Sequence, residues 1–182
     1  MVFENTDIPT DLPEKLQVLI DYWQDQVDRL GRLPMLDEIN LMDIYKIAPR
    51  IFMADRIVLD DGAVDYVWRY WGGTLCQFAG ADLTGKRLSQ THDDAAVNIA
   101  LESYGWALKT GKPHYFAQAL RVKGARHADW DYQRVIVPLS GRSSPGGEPE
   151  AKHILGVYVS VHDRDIHQHK AIRDQTASFQ IS

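Results

Sequence analysis

Side chains able to do chemistry fall in three places along the chain. The densest is His162-Asp163-Arg164-Asp165-Ile166-His167-Gln168-His169. Imidazoles and carboxylates ligate metals, but residues two apart do not face each other on a helix. His167 and His169 could share an ion only in extended chain, with His162 folded back. The run reads instead as a solvated segment after the last strand, and no metal site is expected. His92-Asp93-Asp94 could join a general base to an orienting carboxylate. A Thr91 or Asp93 N-cap with acidic residues in the first turn accounts for the same letters. Cys76 could serve flavin or haem chemistry, although a small buried hydrophobe is the usual state of a free cysteine. No Gly-x-Ser-x-Gly elbow, Walker-type lysine loop or His-Glu-x-x-His helix occurs, and the glycine-rich run 141–147 lacks the lysine and helix needed to cradle phosphate. No catalytic residue is assigned, and an enzyme is not expected.

Aromatic side chains offer binding rather than catalysis. In strand 64–71, strict alternation puts Tyr66, Trp68 and Tyr70 on one face and Arg69 with Trp71 on the other. His114, Phe116 and Gln118 make a comparable face on a later strand. Rings with a few polar groups are the usual lining of a small-molecule pocket. Arg69 and Arg134 each stand among apolar neighbours in a strand. A buried guanidinium needs a partner, either a ligand carboxylate or a protein acid such as Asp65 or Asp131. Tyr66, Trp68, Tyr70, Cys76, Trp106, Phe116 and Arg134 are the ligand-binding candidates.

The scaffold for these residues is one domain of 182 residues, long enough to bury a core without staples. One cysteine excludes an intrachain disulfide, so a reducing, cytoplasmic setting is expected. Twenty basic and twenty-five acidic residues give a net charge of −5, with no long basic run, which argues against nucleic acid as a partner. No apolar stretch is long enough to span a membrane, and no signal pattern opens the chain.

Apolar residues at helical spacing from Leu16 to Leu30, after Pro13 and before Gly31, predict an amphipathic helix. A second short helix is expected at 41–47 and a strand at 51–59. A tight turn at Asp60-Asp61-Gly62 leads into strand 64–71. Gly72-Gly73 then bends the chain into a short helix, 75–79, with Thr74 as its N-cap and Gly80 as its stop. A longer helix spans 94–110, ended by Gly111 and Pro113. Strands at 114–123, 130–139 and 153–162 complete the chain, joined by a turn at Gly124-Ala125 and a polar loop at 141–150. Two hairpin strands, a helical crossover and a three-strand meander make an α+β layer arrangement.

In that order the chain resembles the PAS domain family, closest to stand-alone bacterial PAS-like sensors with an N-terminal helical extension. The resemblance is carried by Tyr22-Trp23, Leu33-Pro34, Met42-Asp43-Ile44, Arg69-Tyr70-Trp71-Gly72, the turn 80–85, Arg134 with Pro138-Leu139, and Leu155-Gly156-Val157. Its departures are a second glycine at Gly73 and the long 141–150 loop. It implies a five-stranded antiparallel sheet with helices on one face, an extension at 1–50, a PAS-like domain at 51–165 and a tail at 166–182. It also implies a sensor that binds a small molecule and signals through protein contacts. No cofactor is named. Thr74-Leu75-Cys76-Gln77-Phe78 does not supply the Asn-Cys-Arg-Phe-Leu-like motif of flavin-binding PAS domains, and no haem ligand stands out. With no output segment recognisable, a signalling partner or a homodimer through the N-terminal helix is expected to carry the output. Two rivals stand: a cone-shaped α+β isomerase or cyclase, with His114 and Asp131 as candidates, and an interaction module with a filled core and no ligand.

Overall fold

The computed structural model describes residues 8–120, 130–141 and 151–160. Helix α1 (Glu14–Leu30) closes on Gly31, whose left-handed φ of 65° suits glycine. Strands β1 (Ile51–Val58) and β2 (Val64–Trp71) follow, then helices α2 (Gly73–Ala79), α3 (Leu88–Thr91) and α4 (Asp94–Thr110), and strands β3 (His114–Leu120), β4 (Trp130–Ser140) and β5 (Ala151–Ser160). The strands form one sheet in the order β2-β1-β5-β4-β3, with every neighbouring pair antiparallel. The expected α+β, five-stranded PAS-like arrangement is what the chain adopts.

Alternation divides the sheet between two cores. On the outer face, Val135, Val137, Leu139, Leu155, Val157 and Val159 pack against Leu16, Leu19 and Trp23 of α1. On the inner face, Phe52, Trp68, Ile136 and Ile154 pack against α2, α3 and α4. Hydrogen bonds fasten α1 and the segment that follows it to the sheet. Trp23 Nε1 donates to the Pro138 carbonyl at 2.9 Å, and Ser140 N donates to the Pro34 carbonyl at 2.9 Å. The buried stripe of α4 is mostly small, Ala96, Ala100, Ser103 and Ala107, which lets the helix lie close to the sheet.

Two glycines answer to close approach. A methyl on Gly72 would overlap the Pro49 carbonyl, and one on Gly156 would overlap the Phe52 ring, which lies over that bare backbone. Gly73, by contrast, meets open space. The α2 N-cap is Gly72 rather than Thr74, because the chain must already be bending where it passes Pro49.

Residues 41–47 form successive turns rather than the expected helix. Three-residue hydrogen bonds such as Ile44 N to the Leu41 carbonyl at 3.3 Å replace the α ladder, and Pro49 blocks its growth. Strand β1 ends one residue before the expected boundary, and β5 begins two before. The Gly124-Ala125 turn, loop residues 142–150, the 162–169 histidine run and the tail at 166–182 lie outside the described residues.

Candidate functional site

A one-residue irregularity in β2 decides which rings share the inner face. Met53 pairs with Tyr70, but its neighbour Ala54 pairs with Trp68, leaving Arg69 as an extra residue. Such a bulge resets the alternation beyond it. Tyr66 and Trp68 point to the helices, whereas Tyr70 joins the outer core and donates its hydroxyl to the Ala48 carbonyl at 3.2 Å. Trp71 takes the inner place expected of Tyr70. Tyr70 is thereby placed on the opposite face of the sheet from Tyr66 and Trp68. Arg69 is half-exposed and donates from Nε to Asp55 at 2.9 Å, with His153 Nδ1 2.7 Å from the same carboxylate. It is a structural ion pair, made with Asp55 rather than Asp65. Asp65 is buried and accepts instead from Ser89 Oγ at 2.6 Å, tying α3 to β2.

The turn before α3 fixes the site from one side. Gly85, at φ +82°, donates to the Trp68 carbonyl at 2.7 Å, and Trp68 N donates to the Lys86 carbonyl at 3.0 Å. Trp68 is 1% exposed, and its Nε1 donates to Thr91 Oγ1 at 3.1 Å. Phe52 stands at the centre of the ring cluster, 5.5 Å from Trp68, 6.1 Å from Trp71 and Tyr104, and 4.8 Å from Tyr158 between centroids. Edge-to-face and tilted pairs at such spacing add to what their burial contributes.

Charge enters this apolar space through Arg134, which is 2% exposed. Its guanidinium carbon lies 5.0 Å from the ring centroids of both Tyr104 and Phe116, and Nη2 donates to Ser103 Oγ at 2.5 Å. The two ring faces stabilise the buried cation. His114 packs its ring 5.4 Å from Trp106, and His92 sits 5.7 Å from Trp68 and 6.5 Å from Trp71. The buried Trp71 Nε1 and His114 Nδ1 have no hydrogen-bond partner among the described residues.

Desolvation, aided by the Arg134 charge, lowers both imidazoles from the ordinary 6.5 to about 4. Both are neutral near pH 7 and so able to accept or donate one hydrogen bond. The sign of the pH effect follows. The unfolded chain takes up protons below pH 6.5 that the folded chain refuses until about pH 4, so stability is full above 6.5 and falls across that window. The expected loss is up to about 1.4 kcal/mol per pH unit for each ring. Urea unfolding at pH 7.0, 6.0 and 5.0 checks this, and a His114→Phe variant should show a shallower fall. Asp93 caps α4, accepting from Ala96 N at 2.9 Å, so the His92-Asp93-Asp94 letters encode a helix start rather than a paired acid and base.

Of the sequence candidates, Tyr66, Trp68, Trp106, Phe116 and Arg134 are brought to the helix side of the sheet, and Cys76 packs at its border. Cys76 is half-buried, with Sγ donating to the Trp71 carbonyl at 3.5 Å. Phe52, Trp71, Ser103, Tyr104 and Tyr158 belong to the same cluster and were missed. The broad apolar surface of α4 concealed which turn meets the sheet, and the bulge concealed Trp71. Among the described residues no group of three or more His, Cys, Asp or Glu could hold a metal, and no helix is long and apolar enough to cross a membrane.

The PAS domain family profile matches residues 13–158. No curated protein matches the chain. Among solved structures, a light-oxygen-voltage domain studied with a flavin analogue is 15% identical, with 76% of this chain and 96% of that one covered and a TM-score of 0.49. The light-state LOV domain of the blue-light photoreceptor Aureochrome1 is 13% identical, with 78% and 98% covered and a TM-score of 0.44. The assignment rests on the family match and the strand order, not on those distant neighbours. A profile match from the start of α1 to the end of the meander, on a sheet of order β2-β1-β5-β4-β3, makes this chain a member of the PAS domain family.

Proposed function

We propose that the chain is a sensory module that binds a small molecule between the inner sheet face and helices α2 to α4, and passes its state on through protein contacts. The ligand's polar end meets Arg134, His114 and Trp71, while its body lies among Tyr66, Trp68, Trp106 and Phe116 with Cys76 at the edge. One observation carries this reading. Trp71 Nε1 and His114 Nδ1 are buried without partners among the described residues, on the side of the sheet that also buries the Arg134 guanidinium. A buried polar atom is ordinarily satisfied, and a ligand or ordered water is a source of the partners that the described residues do not supply. A cytoplasmic setting and a non-enzymatic role belong to the same reading. Native mass spectrometry beside the denatured mass, with an absorbance spectrum of the same sample, tests it. Added non-covalent mass is expected. Equal masses would favour the interaction-module reading, which the close ring packing, such as Trp68 on Trp71 at 4.7 Å, also supports.

Output through a second copy is part of the proposal, but its surface moves. The apolar stripe of α1 is largely taken up by its own sheet, and Asp21, Gln24, Asp25 and Asp28 face outward. Beside it, the 41–47 turn is held to α1 by Asn40 N donating to Tyr22 Oη at 2.9 Å. That turn exposes Met42 at 74% and Tyr45 at 60%. A dimer mass in light scattering is expected, reduced to monomer by Met42→Asp with Tyr45→Asp. A concentration-independent monomer in the unsubstituted chain would sink the dimer.

A further inference from the structure

A cavity lies away from the Arg134 cluster, where the β1–β2 hairpin faces α4. It is a groove of about 670 Å³ between the hairpin and the C-terminal half of α4, and Val64, Leu101 and Leu108 form its apolar lining with Arg56 and Lys109 beside them. That volume falls within the usual range for small-molecule sites. Val58, on the same sheet face as Arg56 and paired with Val64, is 59% exposed and extends the apolar surface.

Three features of this groove suit an anionic, partly apolar occupant. Tyr66 lines it with a ring that is otherwise buried, and its hydroxyl makes no hydrogen bond among the described residues and is open to the groove. Arg56 and Lys109 are exposed beside it and make no ion pair among the described residues, so both charges are available to a ligand. Gly105 stands in the middle of α4, where glycine is about 1 kcal/mol worse than alanine. Nothing in the fold asks for it, since a methyl there would meet open space within 4 Å. A bare helix backbone beside a cavity is what a close-lying occupant requires.

We infer that this groove binds an amphipathic organic acid, its carboxylate between Arg56 and Lys109 within reach of the Tyr66 hydroxyl, and its apolar body over Gly105, Leu101 and Leu108. Two cations supply the anion's partners, and the apolar floor supplies burial. The site is distinct from the Arg134 cluster. Tyr66 stands between them, with its ring set edge-on to Tyr104 at 5.0 Å.

Octanoate is the probe, titrated into the full chain by calorimetry, with 1-octanol as the uncharged control. Octanoate should bind at least tenfold more tightly than octanol. Gly105→Leu should abolish binding while leaving the melting temperature equal or higher, because the substitution fills open space and improves helix propensity. Arg56→Gln with Lys109→Gln should weaken binding at least tenfold. Failure of octanoate to bind, or equal binding by the Gly105→Leu chain, would overturn the inference. So would binding lost in Arg134→Met but kept in Gly105→Leu, since that result places the acid at the inner-face cluster. The groove can fail these tests while the Arg134 site stands.

Discussion

Replacing Trp68 by alanine is expected to destabilise the fold by about 3–5 kcal/mol, the range for large aromatics truncated in a core. For a chain of this size that corresponds to a fall of roughly 6–20 °C in Tm. The indole is 1% exposed, packs 5.5 Å from Phe52 and 4.7 Å from Trp71, and donates to Thr91. The backbone of the same residue exchanges two hydrogen bonds with the 80–87 turn, so the lost side chain loosens the junction of β2 with α3 rather than one wall of a cavity. Trp68→Phe should cost less than half as much, because it keeps ring packing and gives up the indole N–H. Thermal melts followed by circular dichroism check both. A cost below about 1 kcal/mol for the alanine variant would mean that the inner core collapses without this ring.

Arg134→Met is the counterpart with the largest functional effect. Any ligand retained by the inner face should be bound at least about a hundredfold more weakly, as expected when a charged hydrogen-bond partner is withdrawn. Stability should fall by about 1–3 kcal/mol, because Ser103 Oγ loses its charged donor and the Tyr104 and Phe116 rings lose the cation they hold. Removing the cation should also raise both imidazoles from about 4 toward 6.5, since its charge helps hold them down. Histidine titration by NMR separates that electrostatic role from packing. Unchanged His92 and His114 titration together with unchanged ligand retention would remove Arg134 from the site.

The fold was legible because its punctuation is local. Gly31, Gly80 and Gly111 each adopt the left-handed conformation that closes a helix, and the aromatic, β-branched run 64–71 emerges as β2 with its expected ends. The 41–47 segment misled because its apolar letters have helical spacing, while the turns that form there depend on Asn40 and on Pro49. The site was half legible. Arg134 was visible as a charge in an apolar strand, but Tyr70 and Trp71 exchanged faces because a bulge at Arg69 leaves no mark in a single sequence. Ser103 and Tyr104 were hidden by α4, which is apolar over so much of its surface that spacing alone cannot say which side meets the sheet. Gly105 carried a signal that went unread, a glycine inside a helix without a turn or crossing to require it.

The most direct test of a small-molecule site on the inner face is the indole N–H spectrum of the protein labelled with ¹⁵N-tryptophan. The chain has five tryptophans, and their environments differ in a useful way. Trp23 Nε1 is bonded to the Pro138 carbonyl in the outer core, whereas Trp71 Nε1 has no partner among the described residues. Protein as purified is compared with protein unfolded, freed of small molecules and refolded. The account predicts that the Trp71 resonance moves on ligand removal and returns when the extract is added back, while that of Trp23 stays fixed. Superimposable spectra, with Trp71 unmoved, would contradict a ligand at this site and leave the inner face as a packed core.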